Sequence, residues 1–139
     1  MSDDEFRQLG SGPHRIRIDG DLVMMRSVGV IMLEDYLALR DTCRRVHQEH
    51  GTLFILYDSR TGQGVDREVR RHMMHPTPDE VAPDAAASFG TKFSTRIFVN
   101  MLDRALVAFG KKPSGVAMFE TESDARAHLE RERARLKKR

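Results

Sequence analysis

The densest run of reactive side chains is Asp58-Ser59-Arg60-Thr61-Gly62, which sets a carboxylate, two hydroxyls and a guanidinium side by side. A serine next to a carboxylate could be an activated nucleophile if a base and an oxyanion pocket joined it. The nucleophile elbow of hydrolases carries Gly-x-Ser-x-Gly, however, and Ser59 stands in Tyr57-Asp58-Ser59-Arg60-Thr61, which reads better as a turn hydroxyl. Gly62-Gln63-Gly64 follows. It permits a tight turn and a close ligand approach, but it lacks the third glycine of a dinucleotide fingerprint and the Gly-Lys-Ser/Thr of a phosphate loop. An enzyme here would need ionisable groups converging around Asp58, Ser59 and Glu120.

The histidine pairs His47/His50 and His72/His75 each have the spacing of same-face helix neighbours, with Asp79 after the second pair. Such pairs chelate zinc when a third firm ligand joins them. None stands at a recognisable distance, so they read as exposed helix-end histidines, and neither a metal nor a cofactor is expected. Cys43 is the single cysteine. It cannot close an internal disulfide, which points to a reducing cytoplasm, and it lies on the apolar stripe of a helix, where a buried inert thiol is expected. Arg70 and Arg71 are adjacent, with Arg70 four residues after Asp66. An ion pair on a helix surface is one use for them, and contact with an acidic partner or a lipid headgroup is another.

These residues need elements to position them. Thr52 to Tyr57 is a mostly apolar run ending in the polar segment, the pattern of a central strand buried on both faces that delivers a recognition loop at its carboxyl end. Upstream, residues 1–12 read as a mobile leader. His14 to Ile18 alternates, Asp19-Gly20 is a hairpin turn, and Leu22 to Val28 resumes as a strand. Tyr36, Leu39, Cys43 and Val46 mark an amphipathic helix over Leu33 to His50, closed by Gly51. After the central strand Asp66 caps a short helix carrying Val65, Val69 and Met73, ended by Pro76-Thr77-Pro78. A loop over Asp79 to Ala85 leads to a strand at Ala86 to Gly90.

Phe93 to Phe109 is a long helix stopped by Gly110 and Pro113. Its apolar surface is wider than one sheet face needs. Phe98, Met101, Ala105 and Phe109 form one row, and Val99, Leu102, Leu106 and Val107 extend it round the cylinder. Core burial accounts for much of this, and a partner subunit or an apolar ligand for the excess. Gly115 to Phe119 is the last strand, and Thr121-Glu122-Ser123-Asp124 opens a terminal helix with Ala125 and Leu129 inward. The order β-β-α-β-α-β-α-β-α gives a single α/β domain over residues 13–130 with a mixed five-stranded sheet.

The 139 residues suit one domain. No apolar stretch approaches the ~20 residues of a membrane span. The net charge of +2 is unevenly spread, since Arg126 to Arg139 holds seven basic residues against two acids, a local +5 that leaves −3 on the rest. Residues 131–139 therefore read as a basic helix end, favourable at a helix C-terminus. No aromatic residue is interleaved there for base stacking, so nucleic acid is not expected as a partner.

Taken together, the Asp19-Gly20 hairpin, Glu34-Asp35-Tyr36, Leu56-Tyr57-Asp58, Arg70-Arg71, Ala87-Ser88-Phe89-Gly90 and Phe119 to Ala125 resemble the SpoIIAA-like, STAS/SEC14-like branch of the STAS superfamily. The resemblance spans about His14 to Glu130. It implies a non-enzymatic regulatory α/β domain that binds a protein partner. STAS relatives of the anti-sigma-factor-antagonist type are switched at a serine in an Asp-Ser pair opening the helix after the central strand. Here that position reads Asp66-Arg67, so the phosphoserine is not carried over. The SEC14-like side of the resemblance implies a carrier of an apolar small molecule or lipid. The expected recognition surface is Asp58, Ser59, Arg60, Thr61, Asp66, Arg70 and Arg71. The expected apolar pocket or homodimer face is Phe98, Val99, Met101, Leu102, Leu106 and Phe109.

Overall fold

The Asp19-Gly20 turn closes the hairpin between β2 (Arg15–Asp19) and β3 (Leu22–Ile31), with Gly20 at φ 61, a left-handed conformation that glycine adopts without strain. Helix α1 (Leu33–His50) crosses over to β4 (Phe54–Val65), α2 (Arg67–Met74) to β5 (Ala85–Phe89), and α3 (Phe93–Ala108) to β6 (Val116–Phe119), before α4 (Glu122–Lys137) ends the chain. The computed structural model describes residues 5–77, 80–113 and 115–138. Arg139 of the basic helix end and Asp79 of the histidine grouping therefore lie outside the described residues.

The sheet has six strands rather than five. The additional strand, β1 (Arg7–Gln8), comes from the segment read as a leader and pairs antiparallel with β2, and the adjacent Leu9 is buried in the core. So short a strand has too few residues to show alternation, which is why the sequence pattern misses it. The spatial order follows the chain order, β1-β2-β3-β4-β5-β6, antiparallel as far as β3 and parallel from β3 onward.

Every residue of β5 is buried, as are Phe54, Ile55 and Leu56 at the start of β4, and alternation sorts them onto two cores. Val23, Met25, Ile55 and Ala86 face α1, meeting Leu39, Cys43 and Val46. Met24, Phe54, Leu56, Ala87 and Phe89 face α4, meeting Ala125 and Leu129. The predicted helix starts are built as read: Asp66 accepts the Glu68 N–H at 3.2 Å and Thr121 Oγ1 accepts the Asp124 N–H at 3.2 Å.

One correction concerns the segment after the apolar run. It is not a loop: β4 continues unbroken from Asp58 through Val65, still parallel to β3. Because β3 itself reaches Ile31, each added residue of β4 finds a ladder partner. Two register shifts, between Arg26 and Val28 and between Gly29 and Ile31, absorb extra residues on the β4 side. The glycines fit that role. A Cβ on Gly62 would stand 3.0 Å from the Ser27 Cβ, and Gly64 has φ 85. Glycines inside a strand mark bulges and close backbone approaches, which is what Gly62-Gln63-Gly64 encodes.

Candidate functional site

Where β5 ends at Phe89 and β3 and β4 run on beside it, the sheet carries a charged cluster centred on Asp58. Its carboxylate accepts the Arg60 Nε–H at 3.0 Å and an Arg60 terminal N–H at 2.7 Å, a two-pronged pair within one strand. The Arg60 backbone N–H donates to it at 3.2 Å, and Arg26 Nε, from β3 directly opposite, at 3.3 Å. Burial opposes the negative charge, but the bonds from Arg60 and Arg26 outweigh it and hold the Asp58 carboxyl below the usual range. The result is a fixed carboxylate and a fixed arginine. The Arg60 guanidinium lies 5.2 Å from the Phe89 ring centroid, and a Cβ on Gly90 would strike its Cγ, so its stem runs over the bare glycine backbone.

Beneath this cluster, on the α4 face, lies a cleft of about 260 Å³ floored by Met24, Leu56 and Phe89. Arg26, Asp58, Glu122 and Arg126 supply its polar walls. Arg26 stacks 4.3 Å over Phe6, and Arg126 donates to Glu122 at 2.8 Å. The charges thus meet opposite charges within the cleft. Glu120, considered with Asp58 and Ser59, is exposed after β6 and outside the lining.

On the other face, α1, α3 and the sheet line a larger, half-open apolar cavity of about 350 Å³. Leu102 and Leu106 of α3 reach into it, opposite Ile55, Tyr57, Ala86 and Val116, while Arg40, Glu80, Lys111 and Lys112 stand among its polar lining. Burial pushes the Cys43 thiol and the Tyr36 hydroxyl, both on its wall, up to about 12, and also raises Tyr57. All three stay protonated at neutral pH, which removes them as nucleophiles.

The expected recognition residues divide between two places. Asp58, Ser59, Arg60 and Thr61 lie in β4, and Thr61 Oγ1 donates to the Ser27 carbonyl at 2.6 Å, stitching the strands together. Asp66 caps α2, and Arg70 does not form the expected pair with it. Instead the Arg70 guanidinium lies 5.3 Å from the Phe98 ring centroid and Arg70 Nε donates to the Val65 carbonyl at 3.4 Å, because α3 passes close enough to offer an aromatic face. Arg71 is exposed. Of the α3 residues, Leu102 and Leu106 are buried, Phe98 and Val99 half-buried, and Met101 and Phe109 point outward at 64% and 73% exposure. Among the described residues no three of His, Cys, Asp and Glu converge as a metal site.

Two pairings escaped the sequence reading. Arg26 sits in an apolar strand, and a charge in such a run signals a buried partner without naming it. His14 is fully buried. Its Nδ1 accepts the Val28 N–H at 3.1 Å, which places the proton on Nε2, 3.2 Å from Asp35 Oδ2; that oxygen also accepts the Met32 N–H at 3.0 Å. No spacing announces a pair so far apart in the chain.

The order of β3 to β6, all parallel and sequential, with α4 alone behind them, matches known architectures. The unphosphorylated anti-sigma factor antagonist SpoIIAA superposes with a TM-score of 0.53 at 10% identity, over 84% of this chain and 97% of that one. The chain has a SpoIIAA-like fold. A DUF3478-family protein with the same SpoIIAA-like fold, from Shewanella loihica, gives a TM-score of 0.50 at 18% identity, covering 88% of this chain and 99% of the other. No protein-family model and no curated protein matches the sequence. In this SpoIIAA-like chain Asp66-Arg67 opens the helix after the central strand, and Arg67 is exposed.

Proposed function

We propose that this protein is a non-enzymatic regulatory module that acts through protein-protein contacts, with the carboxyl end of β4 and the start of α2 as its recognition surface. The observation that carries the reading is the Asp58 clamp. It holds Arg60, whose side chain is 60% exposed, in one geometry on a rigid strand. An arginine fixed before binding gives up little entropy when a carboxylate meets it. The exposed Arg67 and Arg71 on α2 extend the same positive character, so the partner surface is acidic. A similar fold in an anti-sigma factor antagonist supports a regulatory role. Against catalysis stands the chemistry of the cluster: Asp58 is bound by two arginines and is a poor base, and Cys43 and Tyr57 are protonated. Affinity purification with the native chain and with Arg67→Glu/Arg71→Glu tests this. Partners specific to the native chain are expected to be lost, and an unchanged set would remove α2 from the surface.

A second reading rests on the cavity under α3. Its 350 Å³ and apolar wall suit an apolar small molecule, the class the SEC14-like resemblance implies. Native mass spectrometry of freshly purified protein would then show added mass, which Leu106→Trp removes by filling the space. A single unliganded species in the native chain argues against a carrier.

A further inference from the structure

Helix α3 turns a row of large apolar side chains away from the protein. Phe93 is 76% exposed, Ile97 43%, Met101 64%, Val107 58% and Phe109 73%. Phe93, Ile97 and Met101 recur four apart on one side, Val107 and the cap residue Phe109 are exposed where the helix ends, and Phe98, Leu102 and Leu106 occupy the inward side. From Phe93 to Phe109 the row runs about 24 Å at the α-helical rise. Water meets an apolar stripe of that size on few isolated proteins, and such patches mark contact surfaces.

The charges around the row identify what it contacts. Residues 92–112 hold Lys92, Arg96, Arg104, Lys111 and Lys112 against the single acid Asp103. Lys92 stands before one terminal phenylalanine and Lys111 and Lys112 after the other. A second copy of this chain fits poorly. An antiparallel α3 pair across a two-fold axis would bring Lys92 and Arg96 against Lys111 and Lys112, like charge on like charge at both ends. A helix from another protein would need a groove, whereas the outer side of α3 is a ridge. A planar, deformable, negatively charged surface accepts a ridge along its length, with phenylalanines entering the acyl boundary and lysines reaching the headgroups.

We infer that α3 docks this protein onto an anionic lipid bilayer, lying in the interface plane. This goes beyond the protein-contact reading and is tested apart from it, because it uses the outer side of α3 and not the β4 edge. Docking of this kind needs both parts of the surface. The aromatic ends supply apolar burial, and the cations supply an attraction that weakens as salt shortens the Debye length from ~10 Å at 0.1 M to ~3 Å at 1 M.

The experiment is co-sedimentation of the full chain with phosphatidylcholine vesicles, with and without phosphatidylglycerol. Binding is expected to the phosphatidylglycerol vesicles only and to fall on adding salt. Phe93→Ser/Phe109→Ser, at two positions about three-quarters exposed, should keep the native circular dichroism spectrum and melting temperature while weakening binding about tenfold or more. Lys92→Glu/Arg104→Glu, at exposed cations of α3 outside the cavity lining, should act in the same direction. Three results overturn the inference: no binding to phosphatidylglycerol vesicles, equal binding to both vesicle types, or unchanged binding by the serine variant. Self-association of the native chain that the serine changes abolish, without vesicle binding, would assign the face to a second copy and overturn it equally.

Discussion

Replacing Arg133 tests how the far end of α4 is held to the sheet. Its terminal nitrogens donate to both Asp21 carboxylate oxygens at 2.7 and 2.8 Å, and Thr52 Oγ1 donates to the same carboxylate at 2.6 Å. The guanidinium also lies 4.3 Å over the Phe54 ring. One residue of α4 thereby ties together the hairpin turn, the α1–β4 connection and the central strand. The Arg133 hydrogen bonds, opposed by burial and reinforced by Thr52, hold the Asp21 carboxyl at about 2 against an ordinary 3.8. A carboxyl held that far down corresponds to about 2 kcal/mol at neutral pH before solvent screening. Solvent screening reduces the expected value to about 1–2 kcal/mol, since Arg133 keeps 30% exposure. The folded carboxyl titrates below the unfolded one, so this stability is present above about pH 5 and is lost as the pH falls from about 4 toward 2. Urea unfolding of the native chain, Asp21→Asn, Arg133→Met and the double variant measures the coupling, with methionine keeping an apolar stem on Phe54. The expected coupling is about 1–2 kcal/mol at pH 7 and about half that at pH 3. A coupling within about 0.3 kcal/mol of zero at pH 7, or one that does not shrink at pH 3, refutes the assignment of the shift to this pair.

Three further outcomes follow from the geometry. Asp35→Ala leaves the buried His14 Nε2–H and the Met32 N–H without their acceptor and should destabilise by about 3 kcal/mol, read by urea denaturation, whereas the exposed Asp41→Ala should change little. Gly90→Ala meets both a left-handed φ of 70 and the Arg60 stem, so it should lower stability by about 1–3 kcal/mol; paired with Arg60→Ala it should recover the steric part and leave the backbone part. Cys43, buried and held at about 12, should resist iodoacetamide at pH 8 in the native protein and react within the same incubation in urea, as mass spectrometry would show; equal rates would place the thiol outside the core.

Local chemistry made much of the architecture legible. The hairpin turn, the caps at Asp66 and Thr121, the stripe Leu39-Cys43-Val46 and the all-apolar start of β4 each follow from side chains within a turn or two of one another, and all appear in the fold. The cysteine's burial was legible for the same reason, since its position on the stripe decides which way it faces. The continuation of β4 was not, because Asp58 to Gly64 has turn composition and becomes a strand only where β3 offers it a ladder. Nor was β1, whose two residues pair with β2 without any periodicity of their own.

The candidate site divides along the same line. Sequence alone determined that a carboxylate and an arginine follow the apolar run of the central strand, and that α3 carries more apolar surface than one sheet face can cover. Tertiary structure decided that Arg26 closes the clamp on Asp58 from the neighbouring strand, that Arg70 turns to Phe98 rather than to Asp66, and that Leu102 and Leu106 face a cavity while Phe93, Met101 and Phe109 face water. The reason is physical. Helix caps, turns and stripes depend on neighbours in the chain, whereas a charge pair, a cation over a ring and the exposed side of a helix depend on which distant element arrives beside them.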